Sequence, residues 1–127
     1  MRRLMVICLA VVVAGCSLMT PDRQRYVVFF QEWSAQFDDS AKGSIAEAAK
    51  YAKAKPGVTV TVTGFADMIG SPAANKDISR LRAQMVTDEL VADGVSADRI
   101  AVKGVGSVTS VMSSVEARRV EIVVGGY

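Results

Sequence analysis

Residues 58–63 read VTVTVT, and this alternation decides how the middle of the 127-residue chain folds. Successive side chains of a strand point to opposite faces of a sheet, so the valines share one face and the threonines share the other. We therefore predict a strand with one buried face and one face in water. Pro56 and Gly57, immediately before this strand, are typical of the end of a helix.

A helix and a strand are predicted before this alternating segment. Asp38 or Asp39 is suited to cap the N-terminus of the helix. Its apolar positions recur at spacings of four, three and four, and most are alanine: Ala41, Ile45, Ala48 and Ala52. Such a small apolar face lets the helix lie close against a sheet. Residues 26–30, YVVFF, are β-branched and aromatic and predict a buried strand.

The chain after the alternating segment predicts a second helix and two more strands. Residues 64–71, GFADMIGS, form a predicted loop, and Pro72 suits the first turn of a helix that ends at Asp93 before Gly94. Residues 100–105 and 120–124 are the predicted strands. The order βαβαββ indicates an α+β two-layer sandwich, with two main helices on one face of a four-stranded sheet.

Arg82 occupies the middle of the apolar arc of the second helix, which comprises Ile78, Leu81, Ala83, Met85, Val86 and Leu90. Partial burial of a guanidinium costs several kcal/mol unless the group is paired. Arg82 therefore needs an acidic partner or a ligand. Glu89 is about 10 Å away along the helix, so Asp67, in the preceding loop, is the predicted partner. A structural salt bridge and a ligand-binding pair both remain open on this evidence.

The N-terminal residues have the layout of a secretory signal. Two arginines precede an apolar run over residues 4–14, and small residues follow before Cys16. The run is much shorter than the roughly 20 residues that span a bilayer. Residues 13–16, VAGC, resemble the lipobox of bacterial lipoproteins, in which the cysteine is acylated and becomes the new N-terminus. We predict a signal peptide over 1–15, a lipidated Cys16 with a tether over 16–25, and a folded domain over 26–127; an ordinary cleaved signal is the alternative.

Composition excludes several classes of function. Without the two signal arginines, the 15 basic residues of the chain fall to the same number as its 13 acidic residues, so nothing favours nucleic-acid binding. Loss of Cys8 and lipidation of Cys16 leave no pair for a disulfide. The absence of histidine excludes His-based catalytic triads and His-containing zinc sites. We therefore predict no enzymatic activity, no cofactor and no metal.

Residues 64–82, GFADMIGSPAANKDISRLR, begin a longer family pattern that continues over 83–106 and ends in RRVEI at 118–122. The pattern resembles the peptidoglycan-binding domain at the C-terminus of outer membrane protein A, which also occurs in peptidoglycan-associated lipoprotein and in flagellar stator proteins. The resemblance covers about residues 26–124. Its most specific matches are Asp67, Asn75, residues 78–83, Gly94 with Val95, and residues 118–122.

The resemblance implies a mixed sheet with a binding groove at one end and a role for four residues. Asp67 and Arg82 would bind the diaminopimelate residue of the peptidoglycan stem peptide. Asp67 would accept hydrogen bonds from the ligand ammonium, and Arg82 would hold its carboxylate with two donors. Helix amides near Asn75 would add donors, and Arg118 would support the site.

The sequence also departs from the family pattern around this site. Ala66 stands where a polar residue often precedes the key aspartate, and Ala117 replaces the asparagine that commonly precedes the paired arginines. The first loop offers Glu32 and Trp33, and the connection over 106–118 lacks a Pro-containing segment. Each lost neutral hydrogen bond is worth about 1 kcal/mol, so we expect weaker binding than in relatives.

These observations predict a lipoprotein that binds peptidoglycan non-covalently and anchors the outer membrane to the cell wall. Ser17, rather than aspartate, after the lipidated cysteine favours the outer membrane, with the domain facing the periplasm. The alternative is a scaffold lipoprotein with weak or no peptidoglycan binding, which uses Trp33 or residues 107–117 to hold an envelope protein partner. A wall-cleaving hydrolase is disfavoured because no acid/base pair is evident.

Overall fold

The computed structural model describes residues 22–109 and 113–126, and the predicted signal peptide, Cys16 and the tether as far as residue 21 lie outside this part. The elements are β1 (Gln24–Phe29), α1 (Asp39–Ala54), β2 (Val60–Ala66), α2 (Pro72–Ala92), a 3₁₀ turn (Ala97–Arg99), β3 (Ile100–Ser107), α3 (Ser114–Ala117) and β4 (Arg119–Val124). The predicted order of strands and main helices is confirmed, and α3 is an addition that the sequence analysis missed. None of the helices in the described part is long and apolar enough to cross a membrane.

The four strands form one mixed sheet in the order β1-β4-β2-β3. β4 is antiparallel to both β1 and β2, whereas β2 and β3 are parallel. The core lies between one face of this sheet and the two main helices. It combines strand residues such as Val62 and Ile122 with helix residues such as Ile45 and Leu90, all fully buried. The architecture is the predicted two-layer sandwich.

Capping side chains fix where the two helices begin. The carboxylate of Asp38 accepts a hydrogen bond from Ala41 N at 2.8 Å, which decides between the two predicted caps. The hydroxyl of Ser71 caps α2 in the same way, with Pro72 in the first turn. α2 then ends as predicted, because Gly94 has the left-handed φ of 100° that favours glycine.

The predicted apolar arc of α2 is wrong at two positions. Leu81 is 49% exposed and Met85 is 37% exposed, although both were expected in the core. The buried face of α2 consists of Asn75, Ser79, Arg82, Ala83, Val86, Thr87 and Leu90. The reason is close packing: a Cβ added at Gly64 of β2 would lie 1.9 Å from the carbonyl oxygen of Ser79. Small and polar residues therefore face the sheet where a longer apolar side chain has no room.

Several strand boundaries also differ from the prediction: β2 begins at Val60 rather than Val58, β3 ends at Ser107 rather than Val105, and β4 begins at Arg119 rather than Val120. β1 begins at Gln24, two residues earlier than expected, and ends at Phe29, one residue earlier than expected. β2 continues to Ala66, so the first three residues of the predicted loop belong to the strand. This extension carries β2 directly to Asp67 and places that residue at the end of the sheet.

Candidate functional site

The four predicted binding residues meet at the end of the sheet where β2 finishes. Asp67 directly follows β2, Asn75 lies in the first turns of α2, Arg82 lies in the middle of α2, and Arg118 immediately precedes β4. All four line one cavity of about 10 Å³, together with Glu32, Trp33, Ala66 and Ile78. Residues far apart in the sequence are therefore brought together as the resemblance implied.

Arg82 is buried, as helical phase predicted, but its predicted ion pair with Asp67 is wrong. Only 1% of Arg82 is exposed. Its guanidinium donates to three main-chain carbonyls: Nε to Ser34 at 2.8 Å, Nη2 to Gln31 at 3.0 Å and Nη1 to Phe65 at 3.3 Å. Neutral main-chain oxygens from β2 and from the loop after β1 thus bind all three nitrogen atoms of a guanidinium that was expected to need an acidic partner.

The surroundings of Arg82 also affect its pKa. Burial lowers the pKa of the Arg82 guanidinium, and the positive charge of Arg118 lowers it further. The negative charge of Asp67 opposes both effects. The group remains protonated at any physiological pH. Asp67 therefore acts on Arg82 through its electric field, although the two side chains form no ion pair.

Asp67 pairs instead with Arg118. Oδ2 of Asp67 lies 3.0 Å from Nη1 of Arg118, and the two side chains are 9% and 12% exposed. The other oxygen, Oδ1, accepts a hydrogen bond from Ile69 N at 3.0 Å. Nε of Arg118 donates to the carbonyl of Phe30 at 3.1 Å. The carboxylate is thus held in one orientation at the end of the sheet.

Asn75 connects the start of α2 to the end of β3. Its side-chain Nδ2 donates to the hydroxyl of Ser107 at 2.8 Å, and only 2% of the residue is exposed. Ser107 was not among the predicted site residues, and no local pattern marks it. Gln31 and Ser34 were also missed, because they contribute main-chain carbonyls, which every residue has.

The site is narrow, and its buried polar groups are satisfied internally. Within residues 22–109 and 113–126, every buried side-chain nitrogen and oxygen has a hydrogen-bond partner. A cavity of about 10 Å³ is near the minimum that holds one water molecule. Beside it lies an open depression of about 350 Å³, which Asp67 lines together with Met68, Val108 and Ser113. Asp67 is therefore the charged residue shared by the narrow cavity and the open depression.

The described part of the chain offers no obvious metal centre. No group of three or more histidine, cysteine, aspartate or glutamate residues in this part is arranged to hold a metal ion. What the site presents is the carboxylate of Asp67 with the guanidinium groups of Arg82 and Arg118, and Glu32 adds a second carboxylate to the cavity wall. Such an arrangement is suited to bind a small ligand that carries both an ammonium and a carboxylate.

Comparisons with known proteins converge on one family. The OmpA family model matches residues 29–122, a range that contains the whole site. The peptidoglycan-binding protein ArfA of Mycobacterium tuberculosis is 45% identical over a segment covering 57% of this chain and 24% of ArfA. Outer membrane protein A of Yersinia pseudotuberculosis is 40% identical, over 54% of this chain and 24% of that protein. The chain thus spans about a quarter of the length of these relatives.

A solved structure supports the fold independently. The crystal structure of the peptidoglycan-associated lipoprotein from Burkholderia pseudomallei superposes with a TM-score of 0.72. The match covers 78% of this chain and 89% of that chain, at 22% sequence identity. The mixed sheet with helices on one face is therefore shared with a solved protein.

Proposed function

The chain belongs to the OmpA family, and we propose that it binds peptidoglycan non-covalently through the site formed by Asp67, Asn75, Arg82 and Arg118. The observation that carries this proposal is the meeting of Asp67 with Arg82 and Arg118 at a single end of the sheet, where Glu32 adds a second carboxylate. The name of ArfA, a peptidoglycan-binding protein, supports it, because that relative is 45% identical over its matched segment.

The ligand chemistry favours the diaminopimelate of the stem peptide. The free end of this residue carries an ammonium and a carboxylate on one carbon. Asp67 is suited to accept hydrogen bonds from the ammonium, and Arg82 to donate to the carboxylate. The guanidinium of Arg82 donates to three main-chain carbonyls, and its planar fork also matches the geometry of a carboxylate.

We further propose that the protein is an outer-membrane lipoprotein acylated on Cys16, with the domain in the periplasm. The orientation of the domain supports this role. β1 begins at Gln24, which pairs with Val124 at one end of the sheet, and finishes at Phe29, which pairs with Arg119 near the site. A six-residue strand is about 20 Å long. A chain anchored before Gln24 therefore enters the sheet at the end opposite the site. The site then points away from the membrane and toward the wall.

Sedimentation with purified sacculi tests wall binding. We expect the full chain to sediment with sacculi that contain diaminopimelate and to sediment less with sacculi that contain lysine instead. Asp67→Asn, assayed where it is still folded, should abolish sedimentation. Asp77→Asn, which removes an exposed carboxylate from α2, is the matched control and should sediment normally. Equal retention of both variants would contradict the proposed site, and no retention of the unmodified chain would favour the scaffold alternative.

Metabolic labelling with a radioactive fatty acid tests lipidation. We expect Cys16→Ser to lose the label and to leave the membrane fraction. Cys8→Ser is the matched control, because it removes the other cysteine of the chain and should keep both the label and the membrane location. Label on Cys16→Ser would contradict acylation at this residue.

A further inference from the structure

Trp33 lines the narrow cavity of the site and has an unusual backbone conformation. Its φ of 51° is the only positive φ of a non-glycine residue in the described part of the chain. This region is disfavoured for a bulky residue and persists where the surroundings hold it. Half of Trp33 is exposed.

The ring of Trp33 rests on Gly70, in the loop after β2. A Cβ added to Gly70 would lie 2.5 Å from Cη2 and 2.7 Å from Cζ2 of the ring. Only glycine therefore allows the ring to take this place. The contact joins the loop after β1 to the loop after β2 beside the cavity that Trp33 lines.

The cavity is too narrow for the proposed ligand. At about 10 Å³ it has room for no more than about one water molecule, which is far smaller than the zwitterionic end of diaminopimelate. Arg82 is only 1% exposed, so a ligand carboxylate reaches it only after a wall moves. Three of the charged or polar walls are fixed by regular structure or by an ion pair: Asn75 and Arg82 lie on α2, and Arg118 is bonded to Asp67. Glu32 and Trp33 belong to the loop between β1 and α1.

Arg82 itself holds this loop in place. Its Nη2 and Nε donate to the carbonyls of Gln31 and Ser34, the residues on either side of the Glu32–Trp33 pair. A ligand carboxylate that approaches Arg82 competes with these two carbonyls for the same donors. Binding of a carboxylate and release of the loop are therefore favoured together.

We propose that Trp33 is the specificity-determining residue of the site. Its ring excludes ligands from Arg82 until the ring moves away from Gly70. A ligand carboxylate that replaces the carbonyls of Gln31 and Ser34 as the partner of Arg82 then keeps the site open. This inference rests on the proposed peptidoglycan binding. A ligand with only an amine reaches Asp67 from the open depression and leaves Trp33 in place. A ligand with both groups displaces the ring, so the site distinguishes the zwitterion from a simple amine.

Binding kinetics of the full chain test the proposal, with a soluble stem tripeptide ending in meso-diaminopimelate as the probe. Trp33→Asn removes the ring, and asparagine tolerates the left-handed backbone. Gly70→Ala adds a methyl group that pushes the ring away, and it also strains the left-handed backbone at this residue (φ 94°). Each variant is first checked for cooperative thermal unfolding. When a competent state is a minor one, the apparent association rate scales with its population. We expect the tripeptide to associate about fivefold faster or more with each variant. This factor corresponds to a change of about 1 kcal/mol in the equilibrium between the states with the ring on and off Gly70.

The double variant and tryptophan quenching sharpen the test. Because the methyl group of Gly70→Ala has no ring to displace in Trp33→Asn, the double variant should associate no faster than Trp33→Asn alone. Trp33 is the single tryptophan of the chain, so acrylamide quenching reports its exposure directly. We expect stronger quenching in Gly70→Ala, and in the unmodified chain with saturating tripeptide, but not with a simple alkylamine.

Two contrary outcomes separate this inference from the proposed function. If the unmodified chain and Trp33→Asn bind the tripeptide with equal association rates, the exclusion by Trp33 is overturned and peptidoglycan binding stands. If neither binds the tripeptide, the proposed ligand is wrong and the role of Trp33 is overturned with it.

Discussion

Asp67 Oδ2 accepts a hydrogen bond from Arg118 Nη1 at 3.0 Å, with both side chains about nine-tenths buried. The pair joins the end of β2 to the start of β4, two neighbouring strands of the sheet. It therefore fixes the geometry of the site and also contributes to the stability of the fold. We therefore expect variants at either residue to change both folding and the proposed binding.

Arg118→Gln should lower the free energy of unfolding by about 3 kcal/mol or more, because it leaves the buried carboxylate of Asp67 without its partner. Arg25→Gln is the matched control. It removes the ion pair between Arg25 and Glu121, in which the side chain of Arg25 is 58% exposed. We expect the free energy of unfolding to fall by less than about 1 kcal/mol. Urea unfolding followed by circular dichroism measures both, and equal losses would contradict a structural role for the buried pair.

Arg82→Lys should destabilise the domain although the charge is retained. A lysine ammonium is a compact donor and cannot reach three carbonyls on different sides, so two of them lose a buried partner. We expect a loss of about 2 kcal/mol or more. Arg80→Lys makes the same exchange at an exposed position of α2 and should change stability by less than about 0.5 kcal/mol. If the two variants melt at the same temperature, the carbonyl contacts of Arg82 are dispensable.

The partners of Arg82 illustrate what sequence reasoning can reach. Helical phase predicts that this residue is buried, because that inference uses only neighbours in the same helix. The carbonyls of Gln31 and Ser34 come from positions 51 and 48 residues away. A carbonyl has no side-chain signature, so the sequence suggested an acid in the preceding loop, Asp67, instead.

The exposed positions of α2 illustrate the second limit. Leu81 and Met85 are apolar and fit a helical stripe, yet both lie outside the core. Which face a helix buries depends on the surface against which it packs. Gly64 and Gly104 let α2 approach the sheet so closely that its backbone nearly touches theirs. The alternating valines and threonines of β2 and the caps of α1 and α2 were predictable because their causes are local.

Asp22 should give the domain an acid-sensitive component of stability. Lys55 and then Tyr51, through hydrogen bonds from their side chains, lower the pKa of Asp22 below its ordinary value of 3.8. A folded-state pKa below the unfolded value stabilises the fold above pH 3.8, and this contribution disappears as pH falls through the folded-state pKa. The stability difference between the unmodified chain and Asp22→Asn should therefore be constant above about pH 5 and shrink at lower pH.

Lys55→Met provides the matched test of this acid dependence. Because Lys55 makes the largest contribution to the lowered pKa of Asp22, its removal should eliminate most of the same pH-dependent difference. Thermal unfolding between pH 3 and pH 7 measures it. If the difference in stability between Asp22→Asn and the unmodified chain does not depend on pH, the role of the contact between Asp22 and Lys55 is contradicted.

Two glycine-to-alanine substitutions should have opposite effects on stability. At Gly64 the new methyl group would lie 1.9 Å from the carbonyl oxygen of Ser79 and 2.9 Å from its carbonyl carbon. These are helix backbone atoms, so α2 must shift away from β2, and we expect a loss of about 3 kcal/mol or more in the free energy of unfolding. At Gly43, inside α1, a Cβ meets no atom within 4 Å. Alanine there should stabilise the domain by about 0.5–1 kcal/mol, because it restricts the unfolded chain. Chemical unfolding of the pair measures both; a neutral Gly64→Ala would contradict the close approach of α2, on which the placement of Arg82 beside Asp67 depends.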